Sequence, residues 1–237
     1  MIAVFVNCAT VLVGSVIGYF FHKKIHDEFK NTVYIAVGVF TLVIGMSMAL
    51  ESKRIVYLAF SLVAGGLAGS ALSIEGKIYA FGEFLKKRCI RGSAAEDAHN
   101  FALGFLNASV LFCVGAMSLV GSFKAGTEGD YTLIFTKSVM DGFMAVLMTA
   151  ALGPGVAFSV IPILVYQGGL TLLATVVKPW VSPLMLSELT GTGGALILMI
   201  GFNLLQLKNI KTGNFIMALV VIAVLVLLDP MVLLGMG

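Results

Sequence analysis

The sequence predicts an all-α polytopic membrane protein of about eight transmembrane helices, with two inverted three-helix repeats that flank a central pair. The composition predicts the class, because 59% of the 237 residues are hydrophobic and only 11% are charged. Soluble domains carry roughly 25% charged residues, since water must solvate their surface. This chain is too poor in charge for that, so its outside is expected to face a lipid bilayer.

Apolar segments of bilayer length divide the chain into eight predicted spans within a single membrane domain, residues 1–237. A spanning helix needs about 20 mostly apolar residues, within a range of roughly 17–25. The first segment lacks the positive start and the small-residue cleavage site of a secretory signal, so it is predicted to be a retained helix. The spans are residues 2–21, 33–50, 55–72, 101–121, 132–152, 156–177, 191–207 and 214–230.

Residues 73–100 are the long polar connection between the third and fourth spans. Four apolar side chains in its first half recur at helical spacing, and the charged residues lie off that stripe. The pattern is typical of a helix in the membrane interface, although a surface loop packed on the ends of the bundle explains it equally well. The stripe consists of Ile74, Ile78, Phe81 and Leu85.

The distribution of lysine and arginine predicts the orientation, because cytoplasmic loops carry an excess of both residues. The first, third and seventh loops carry three, five and two of them and the fifth none, whereas the opposite side carries four. Ten against four puts the odd-numbered loops in the cytoplasm and both termini outside. The ten are Lys23, Lys24, Lys30, Lys77, Lys86, Lys87, Arg88, Arg91, Lys208 and Lys211, and the four are Lys53, Arg54, Lys124 and Lys178.

Two stretches of the chain align without a gap and indicate an internal repeat. Residues 38–48, GVFTLVIGMSM, match residues 194–204, GALILMIGFNL, at both glycines, one leucine and one isoleucine. Weaker matches relate the first three spans, residues 2–72, to the last three, residues 156–230, with central helices in residues 101–152. Because the offset of five helices is odd, the copies would cross the bilayer in opposite directions, as in many secondary transporters. The shared composition of apolar helices is the alternative explanation.

Lys137 and Asp141, both in the fifth span, are the leading candidates for a site. A charge at the centre of a spanning helix costs about 2.5–3.5 kcal/mol on insertion scales, so each residue calls for a reason. One helical turn apart, the two side chains lie on one face and can pair. Either the pair only fixes how the helix packs, or Asp141 binds a cation, a proton or a substrate amine. The second interpretation is the hypothesis adopted here.

Other polar residues within the spans are candidates for the lining of such a site. The fourth span carries a stripe of small and polar residues, which serves close helix packing or lines a hydrophilic path. The stripe comprises Gly104, Asn107, Ala108, Leu111, Gly115 and Ser118. The predicted substrate- or ion-binding residues are Asp141, Lys137, Asn107, Gln167, Asn203, Ser138 and Thr192. Whether a metal binds is left open.

Two glycine-rich motifs interrupt the later spans. Gly153-Pro154-Gly155 is predicted to be either a tight turn at the membrane surface or a broken helix whose free backbone groups line a cavity. Residues 188–194, ELTGTGG, are predicted to open the seventh helix. Free amides there would favour an anion, whereas an ordinary capped helix start is the simpler interpretation.

Four of these segments are also recognisable as motifs: residues 107–117 (NASVLFCVGAM), 137–142 (KSVMDG), 153–156 (GPGV) and the pair Gln167-Gly168. Together they resemble the YqgA/YdfK-type family of bacterial inner-membrane proteins. The resemblance covers almost the whole chain, and the Lys-Ser-x-x-Asp-Gly cluster is its most specific part. It implies a bacterial polytopic protein of this size, and it implies no activity, because the family is named as a domain of unknown function.

The sequence predicts a small secondary transporter that moves a small solute or ion across the bacterial inner membrane, coupled to a monovalent cation or a proton. An oligomeric channel and a non-transporting scaffold or regulatory partner are the alternatives, and a homo-oligomer is left open. An enzyme is not expected, because all three histidines fall in predicted loops and no Ser-His-Asp, zinc or phosphate-loop pattern occurs. No cofactor is expected, and a net charge of only +3 does not favour a nucleic-acid partner.

The predicted orientation can be tested with a reporter that is active only in the cytoplasm. Fused after residue 95, in the third loop, the reporter is expected to give a signal, and fused after Gly237 it is expected to give none. Immunoblots that measure the amount of each fusion are the control. If the fusion after residue 95 also gives a signal, a strong signal at Gly237 would mean that the predicted span count is wrong by an odd number.

Overall fold

The computed structural model describes residues 1–24, 27–89 and 95–229, and these residues form helices joined by turns, with no strand among them. The α-helices are α1 (Ile2–Lys24), α2 (Asp27–Ala49), α3 (Ile55–Ala71), α4 (Ile74–Cys89), α5 (Ala95–Cys113), α6 (Ala116–Thr127), α7 (Thr132–Leu152), α8 (Val160–Leu172), α9 (Ala174–Val177), α10 (Pro183–Leu204) and α11 (Met217–Leu227). Short 3-10 helices cover Pro154–Ser159, Lys178–Trp180 and Thr212–Ile216.

The described helices confirm the membrane class, with five to seven candidate spans. Five stretches are long and apolar enough to cross a bilayer by themselves: Ile2–His22, Asn31–Ala49, Thr132–Leu152, Pro154–Leu172 and Pro183–Leu204. Two bent helix pairs raise the number to seven, Ile55–Ala71 with Ile74–Leu85 at 58° and Asn100–Cys113 with Met117–Thr127 at 59°. A shorter apolar stretch, Thr212–Leu227, falls at the place of the eighth predicted span.

The outside of the bundle is apolar along its helices. Large aliphatic side chains such as Val139, Val165 and Leu67 are 73%, 71% and 69% exposed. Water would oppose such exposure by about 25 cal/mol for each Å² of apolar surface, whereas lipid solvates it without that cost. The exposed surface therefore agrees with the composition, and both indicate a bundle surrounded by lipid.

The prediction of a fourth span over residues 101–121 is wrong in one respect: the helix breaks between α5 and α6, although the bent pair Asn100–Cys113 and Met117–Thr127 can still form one span. Gly115 stands at the break with a φ of 123°, a conformation that side-chain-bearing residues rarely adopt. Val114, just before it, packs into α10 where that helix has no side chain: a Cβ atom on Gly193 would lie 1.7 Å from Val114 Cγ1. The two glycines thus allow the bend, which hydrophobic periodicity alone does not reveal.

The predicted start of the seventh span at residue 191 is also wrong. α10 begins eight residues earlier, at Pro183, where Ser182 accepts a hydrogen bond from the amide of Met185 at 3.0 Å as an N-cap. Residues 188–194 therefore lie inside the helix, and neither the anion-binding helix start nor the capped start predicted there exists. Glycines in a helix interior cost about 1 kcal/mol each, which is why the segment resembles a loop. Here they serve close packing instead.

Residues 74–89 of the polar connection form α4, as the apolar stripe predicts. α4 packs across α5, where the rings of Phe81 and Phe105 lie 5.9 Å apart. Its first turn is tied to the segment before α11, because Glu75 Oε2 accepts from the amide of Gly213 at 2.9 Å. The first part of the connection is therefore a helix packed on the bundle and not an irregular loop.

The Gly-Pro-Gly motif forms a tight turn between two antiparallel helices, and it does not break a single helix. α7 ends at Gly153, whose φ is 81°, and Pro154 begins the 3-10 helix that leads into α8. The turn is enclosed by protein: a Cβ atom on Gly155 would lie 1.9 Å from the carbonyl oxygen of Phe101 in α5. The glycines are therefore required by the left-handed backbone at one position and by the close approach of α5 at the other.

Helices that carry the two repeat stretches pack directly on each other. Gly38 lies against Leu205 and Gly45 lies against Leu198, so residue numbers fall along α10 as they rise along α2. The two helices are therefore antiparallel. A Cβ atom on Gly45 would come within 2.7 Å of the backbone nitrogen of Leu198, so the absence of a side chain sets the helix separation.

Contacts join helix ends that are distant in the sequence. His22, near the end of α1, contacts Ala150, near the end of α7. Ser52, just after α2, donates to Glu188 of α10. Tyr57, in the first turn of α3, donates to Asp229, just after α11. These contacts connect the turns to helices far away along the chain.

Gly194→Ala is expected to lower the free energy of unfolding by roughly 1–3 kcal/mol, as overpacking does. The new Cβ atom would lie 2.3 Å from the backbone nitrogen of Ala49 and 2.7 Å from the carbonyl oxygen of Gly45. Gly169→Ala in α8 is the matched control, because nothing lies within 4 Å of that position. It is expected to be neutral or stabilising by up to about 1 kcal/mol. Thermal unfolding in detergent measures both variants, and equal losses would contradict the close contact.

Candidate functional site

Lys137 and Asp141 form an ion pair on the buried face of α7. Lys137 Nζ contacts Asp141 Oδ2 directly, as the spacing of one helical turn predicts. Lys137 is 6% exposed and Asp141 is 7% exposed. α7 has 21 residues, Thr132–Leu152, so Asp141 lies at about the middle of its length. The pair therefore lies near the middle of the helix, where a spanning helix is farthest from the water on either side of the membrane.

A chain of side-chain hydrogen bonds connects this pair to three other helices. Asn7 of α1 donates from Nδ2 to Asp141 Oδ2 at 3.1 Å and to Gln167 Oε1 of α8 at 3.0 Å. Gln167 Nε2 in turn donates to Ser118 Oγ of α6 at 3.3 Å. Asn7, Gln167 and Ser118 are all fully buried. We call these five residues the polar network.

Small residues bring α1 close enough for Asn7 to reach Asp141. Gly142, the neighbour of Asp141, presents its carbonyl oxygen to Gly14 of α1, where a Cβ atom would lie only 2.2 Å away. One turn earlier on α1, Thr10 packs on Gly142 itself. Gly18, one turn after Gly14 on α1, lies against Val146, one turn after Gly142 on α7, so the residue numbers rise together and α1 and α7 run parallel. The glycines therefore position the amide beside the carboxylate.

A cavity of about 440 Å³ lies beside the ion pair. α2, α5, α6, α7 and α10 all contribute to its wall. Lys137, Asp141 and Ser118 of the polar network line it. Glu51, which is exposed, and Met140, which is 53% exposed, also line it, so the cavity reaches the surface of the bundle. Its volume lies within the roughly 300–1,000 Å³ of small-molecule sites.

The break between α5 and α6 forms part of the cavity wall. Val114, Gly115 and Met117 line the cavity on either side of the bend. α6 begins after Gly115 without a side chain that caps its amides. On the α5 side, the carbonyl oxygen of Phe112 accepts a hydrogen bond from Ser118 Oγ at 3.1 Å. Backbone groups of a broken helix are therefore presented to the cavity.

Lys137, Asp141 and Gln167 are the predicted binding residues that the structure brings together. Ser138 is buried beside them on α7, where its hydroxyl donates to the carbonyl oxygen of Ile134 at 2.7 Å. The other three predicted residues, Asn203, Asn107 and Thr192, lie elsewhere in the bundle.

Asn203 ties down the loop between α10 and the last helical segment. Its Oδ1 accepts from the amide of Ile210 at 2.7 Å, and its Nδ2 donates to the carbonyl oxygen of the same residue at 2.8 Å. Both polar groups of the amide are thereby used locally. Among the described residues, Asn203 has no contact with the polar network.

Asn107 and Thr192 are buried but do not line the cavity. Asn107 is 2% exposed and its Oδ1 accepts no hydrogen bond from the described residues. Thr192 is fully buried, and its hydroxyl likewise has no partner in the part of the chain that the structure describes. Neither residue joins the polar network.

Sequence reasoning missed Asn7 and the hydroxyl of Thr190. Asn7 is the single amide side chain in the predicted span 2–21, the same kind of signal that singled out Asn107. Its partners lie 134 and 160 residues away, so no local pattern connects them. Thr190, which lines the cavity, belonged to a segment interpreted as a helix start. Both were therefore visible as polar residues but not as parts of one site.

Metal binding by side chains has no support in the described ranges. Among residues 1–24, 27–89 and 95–229, no group of three His, Cys, Asp or Glu residues lies close enough to hold a metal ion. Of the histidines, His22 lies at the end of α1, where its Nδ1 is 2.9 Å from the carbonyl oxygen of Ala150. His26 lies outside the described residues.

Comparison with known proteins confirms the resemblance to the family named above. The family described as "Protein of unknown function (DUF554)" matches residues 2–227. The "Uncharacterized membrane protein YdfK" of Bacillus subtilis (strain 168) is 29% identical over 219 residues, which cover 91% of each chain. The "Uncharacterized protein YqgA" of Escherichia coli (strain K12) is 25% identical over 220 residues, 92% of this chain and 93% of that protein. No solved structure matches this chain.

Asp141→Asn is expected to lower the free energy of unfolding by about 3–5 kcal/mol, because it leaves Lys137 buried without its counter-charge. The double variant Lys137→Met with Asp141→Asn is expected to recover most of that loss, since it removes both charges. Chemical or thermal unfolding in detergent measures the two changes.

Asp130→Asn is the matched control for this prediction, because Asp130 pairs with Lys124 at 3.6 Å but both side chains are exposed. Hydrogen bonding from the backbone amide of Thr132 lowers the pKa of Asp130, so at neutral pH this substitution also deletes one charge. An exposed pair contributes only about 0–1 kcal/mol, and the control is expected to lose no more. Equal losses at residues 130 and 141 would contradict the buried pair.

Proposed function

Since this chain belongs to the DUF554 family, whose description gives no function, we propose a function from the geometry of its site. The protein is a small secondary transporter that moves a small solute or ion across the bacterial inner membrane, coupled to a cation or a proton. Asp141 is the charge-bearing ligand and Lys137 is its modulating partner. Gln167, Asn7 and Ser118 complete the polar lining.

The observation that carries this proposal is a broken helix in the wall of a cavity that also contains a buried carboxylate. Irregular backbone at membrane depth is tolerated only where protein buries it or a cavity borders it, and transporters use such breaks to bind substrates and ions. An ionisable residue inside a membrane span also costs free energy to insert, and it is therefore a candidate for a functional role. Here Gly115 and Asp141 line one cavity.

Local two-fold symmetry between α2 and α10 supports the inverted repeat. The alignment pairs residues that differ by 156, so Gly45 corresponds to Gly201 and Leu42 to Leu198. Gly45 packs on Leu198, and the exchanged contact, Gly201 on Leu42, is also present. The contacts Gly38 with Leu205 and Gly194 with Ala49 form a second exchanged set. A two-fold axis perpendicular to the two helices produces this pattern, because it exchanges α2 with α10 and turns each contact into its counterpart.

The other repeat helices pack in the same antiparallel sense. Gly65 and Gly69 of α3 lie against Ala218 and Asn214, so numbers fall along the last segment as they rise along α3. α1 pairs with α8: Met1, just before α1, lies near Gly168, and Cys8 lies near Val160, so these two helices are also antiparallel. Each helix of residues 2–72 is therefore beside its proposed counterpart in residues 156–230. This arrangement supports two inverted units that interlock.

The polar network joins both proposed units to the central helix. Asn7 belongs to the first unit, Gln167 to the second, and Asp141 to α7 between them. Rocking of one unit against the other would therefore change the hydrogen bonds of the carboxylate. Such a link between helix motion and ligand site is what alternating access requires.

The proposed orientation places both termini outside and the odd-numbered loops in the cytoplasm. The ten lysine and arginine residues of those loops against four on the other side support it. The five long apolar helices, the two bent helix pairs and the further apolar stretch Thr212–Leu227 support eight crossings, with Thr212–Leu227 as the short eighth span.

The coupling cation or proton is expected to stabilise the wild-type protein through Asp141. Purified full-length protein would be unfolded thermally with lithium, sodium or potassium chloride, balanced by choline chloride, and across a range of pH. A ligand at about 100 times its Kd adds roughly 2.7 kcal/mol to the free energy of unfolding. Asp141→Asn is expected to lose this response, and addition of Lys137→Met is not expected to restore it.

Asp130→Asn, with its exposed carboxylate, is the control and is expected to respond as the wild type does. A structural or scaffold role predicts a different outcome, in which every cation and every pH change affects wild type and Asp141→Asn equally. That outcome would rule out the assignment of Asp141 as a ligand.

A further inference from the structure

We propose that the cavity beside the ion pair binds the anionic group of a small organic carboxylate, held by the N-terminus of α6, Lys137 and Thr190. As the anion takes the place of Asp141 on Lys137, Asp141 takes up one proton. This inference rests on the transporter proposed above and names the class of its substrate, a carboxylate that travels with a proton.

The N-terminus of α6 presents unused hydrogen-bond donors to the cavity. α6 is 12 residues long and starts after Gly115, with no side chain that caps it. Helix geometry leaves the amides of Ala116 and Met117 without an acceptor inside the helix. Gly115 and Met117 line the cavity. Aligned peptide dipoles give such a terminus a partial positive charge, so it favours an anion.

Thr190 supplies a second and independent indication of a ligand. It lies on α10, is 1% exposed, and lines the same cavity. Its Oγ1 has no hydrogen-bond partner among the described residues. A buried hydroxyl without a partner costs about 1–3 kcal/mol, which a bound oxygen atom would recover. An anion between α6 and α10 would satisfy both sets of donors.

The hydrogen-bond donors around the cavity are the groups that an anion would use. Lys137 is the positively charged side chain that lines it, and it lies among two lining carboxylates, those of Asp141 and Glu51. The carbonyl end of α5 is partly satisfied, because Phe112 accepts from Ser118 Oγ, whereas the amide end of α6 has no side-chain cap. In this structure Lys137 pairs with the carboxylate of Asp141. A substrate carboxylate would therefore replace one carboxylate partner of Lys137 with another.

The remaining wall favours an organic anion over a bare inorganic one. It is largely apolar and includes four methionines, whose flexible side chains adapt to different shapes. A volume of about 440 Å³ leaves room for a carbon skeleton beside the carboxylate. The lining methionines are Met48, Met117, Met140 and Met144.

Charge balance requires the proton. Lys137 and Asp141 together are neutral, and an added anion would leave an uncompensated negative charge in a largely buried site, which is costly. Transfer of a proton from solvent to the carboxylate of Asp141 restores neutrality, and no covalent bond to the substrate forms or breaks. Other titratable groups near the ion pair and the cavity are Cys8 of α1, Cys113 of α5, Tyr166 of α8, Glu188 of α10 and Glu51 in the turn after α2. Glu188 accepts hydrogen bonds from Ser52 Oγ and from the amides of Lys53 and Arg54. Glu51 adds a carboxylate at the exposed mouth of the cavity.

The test measures thermal stabilisation and proton uptake of the purified full-length protein. The probes are sodium acetate, lactate, succinate and glutamate, each compared with sodium chloride and sodium phosphate at equal sodium concentration. At least one carboxylate is expected to raise the unfolding temperature above the chloride value. A pH indicator in weak buffer is expected to report uptake of about one proton for each anion bound.

Thr190→Val keeps the size of the side chain and removes the hydroxyl, and it is expected to weaken carboxylate binding roughly tenfold. Thr149→Val is the matched control: Thr149 is also fully buried, its hydroxyl also has no described partner, and it does not line the cavity. It is expected to bind as the wild type does. Lys137→Met is expected to abolish binding, and if that variant does not fold, the pair of threonine variants decides.

Three results would overturn the inference: no carboxylate exceeds chloride, phosphate alone stabilises, or a carboxylate binds without proton uptake. Equal carboxylate binding by Thr190→Val and by the wild type would overturn the assignment of Thr190 to the binding site. Stabilisation by a cation that depends on Asp141, without any effect of the carboxylates, would leave the transporter proposal standing and remove this substrate class. The absence of both responses would remove both proposals.

Discussion

The bundle depends on one constraint: the core of a bilayer offers no water to a polar group, so a polar group there is costly unless the protein supplies its partner. Glu188 illustrates it, since it is fully buried in α10 yet accepts three hydrogen bonds. Ser52 Oγ donates at 2.7 Å, and the amides of Lys53 and Arg54 donate at 2.6 and 2.7 Å. Those amides precede the first turn of α3, where helix geometry provides no acceptor. One carboxylate therefore satisfies the start of a helix and joins it to α10.

The same solvent explains why glycine sets the helix packing. Lipid is as apolar as leucine, so helices in a bilayer associate through close contact and not through the exclusion of water. A Cβ atom on Gly69 would lie 1.8 Å from the carbonyl oxygen of Asn214, and one on Gly18 would lie 2.4 Å from that of Val146. These separations bring polar side chains on neighbouring helices within reach of each other. Close helix packing at glycine residues therefore also brings the side chains of the polar network together.

The sequence predicts what is local and misses what depends on distant contacts. Hydropathy located the five helices that are long and apolar enough to cross a bilayer, and the spacing of one turn predicted the pair of Lys137 with Asp141. The partner of that pair, Asn7, could not be predicted, because tertiary packing across 134 residues brings it there. The start of α10 was misplaced because its interior glycines have the composition of a loop. Periodicity also could not reveal the break at Gly115, since both halves of that span are apolar.

The two features that local reasoning missed lie beside the pair that it predicted. Gly115 breaks α5 from α6 in the cavity wall, and Asn7 donates to Asp141. Gly193 leaves room for Val114 of that wall at the break. Each of these residues departs from what packing or helix propensity alone would select. Natural sequences depart from local rules mainly where function requires it, and the stability lost there is recovered elsewhere. Close glycine contacts, such as those between α2 and α10, are one source of that stability.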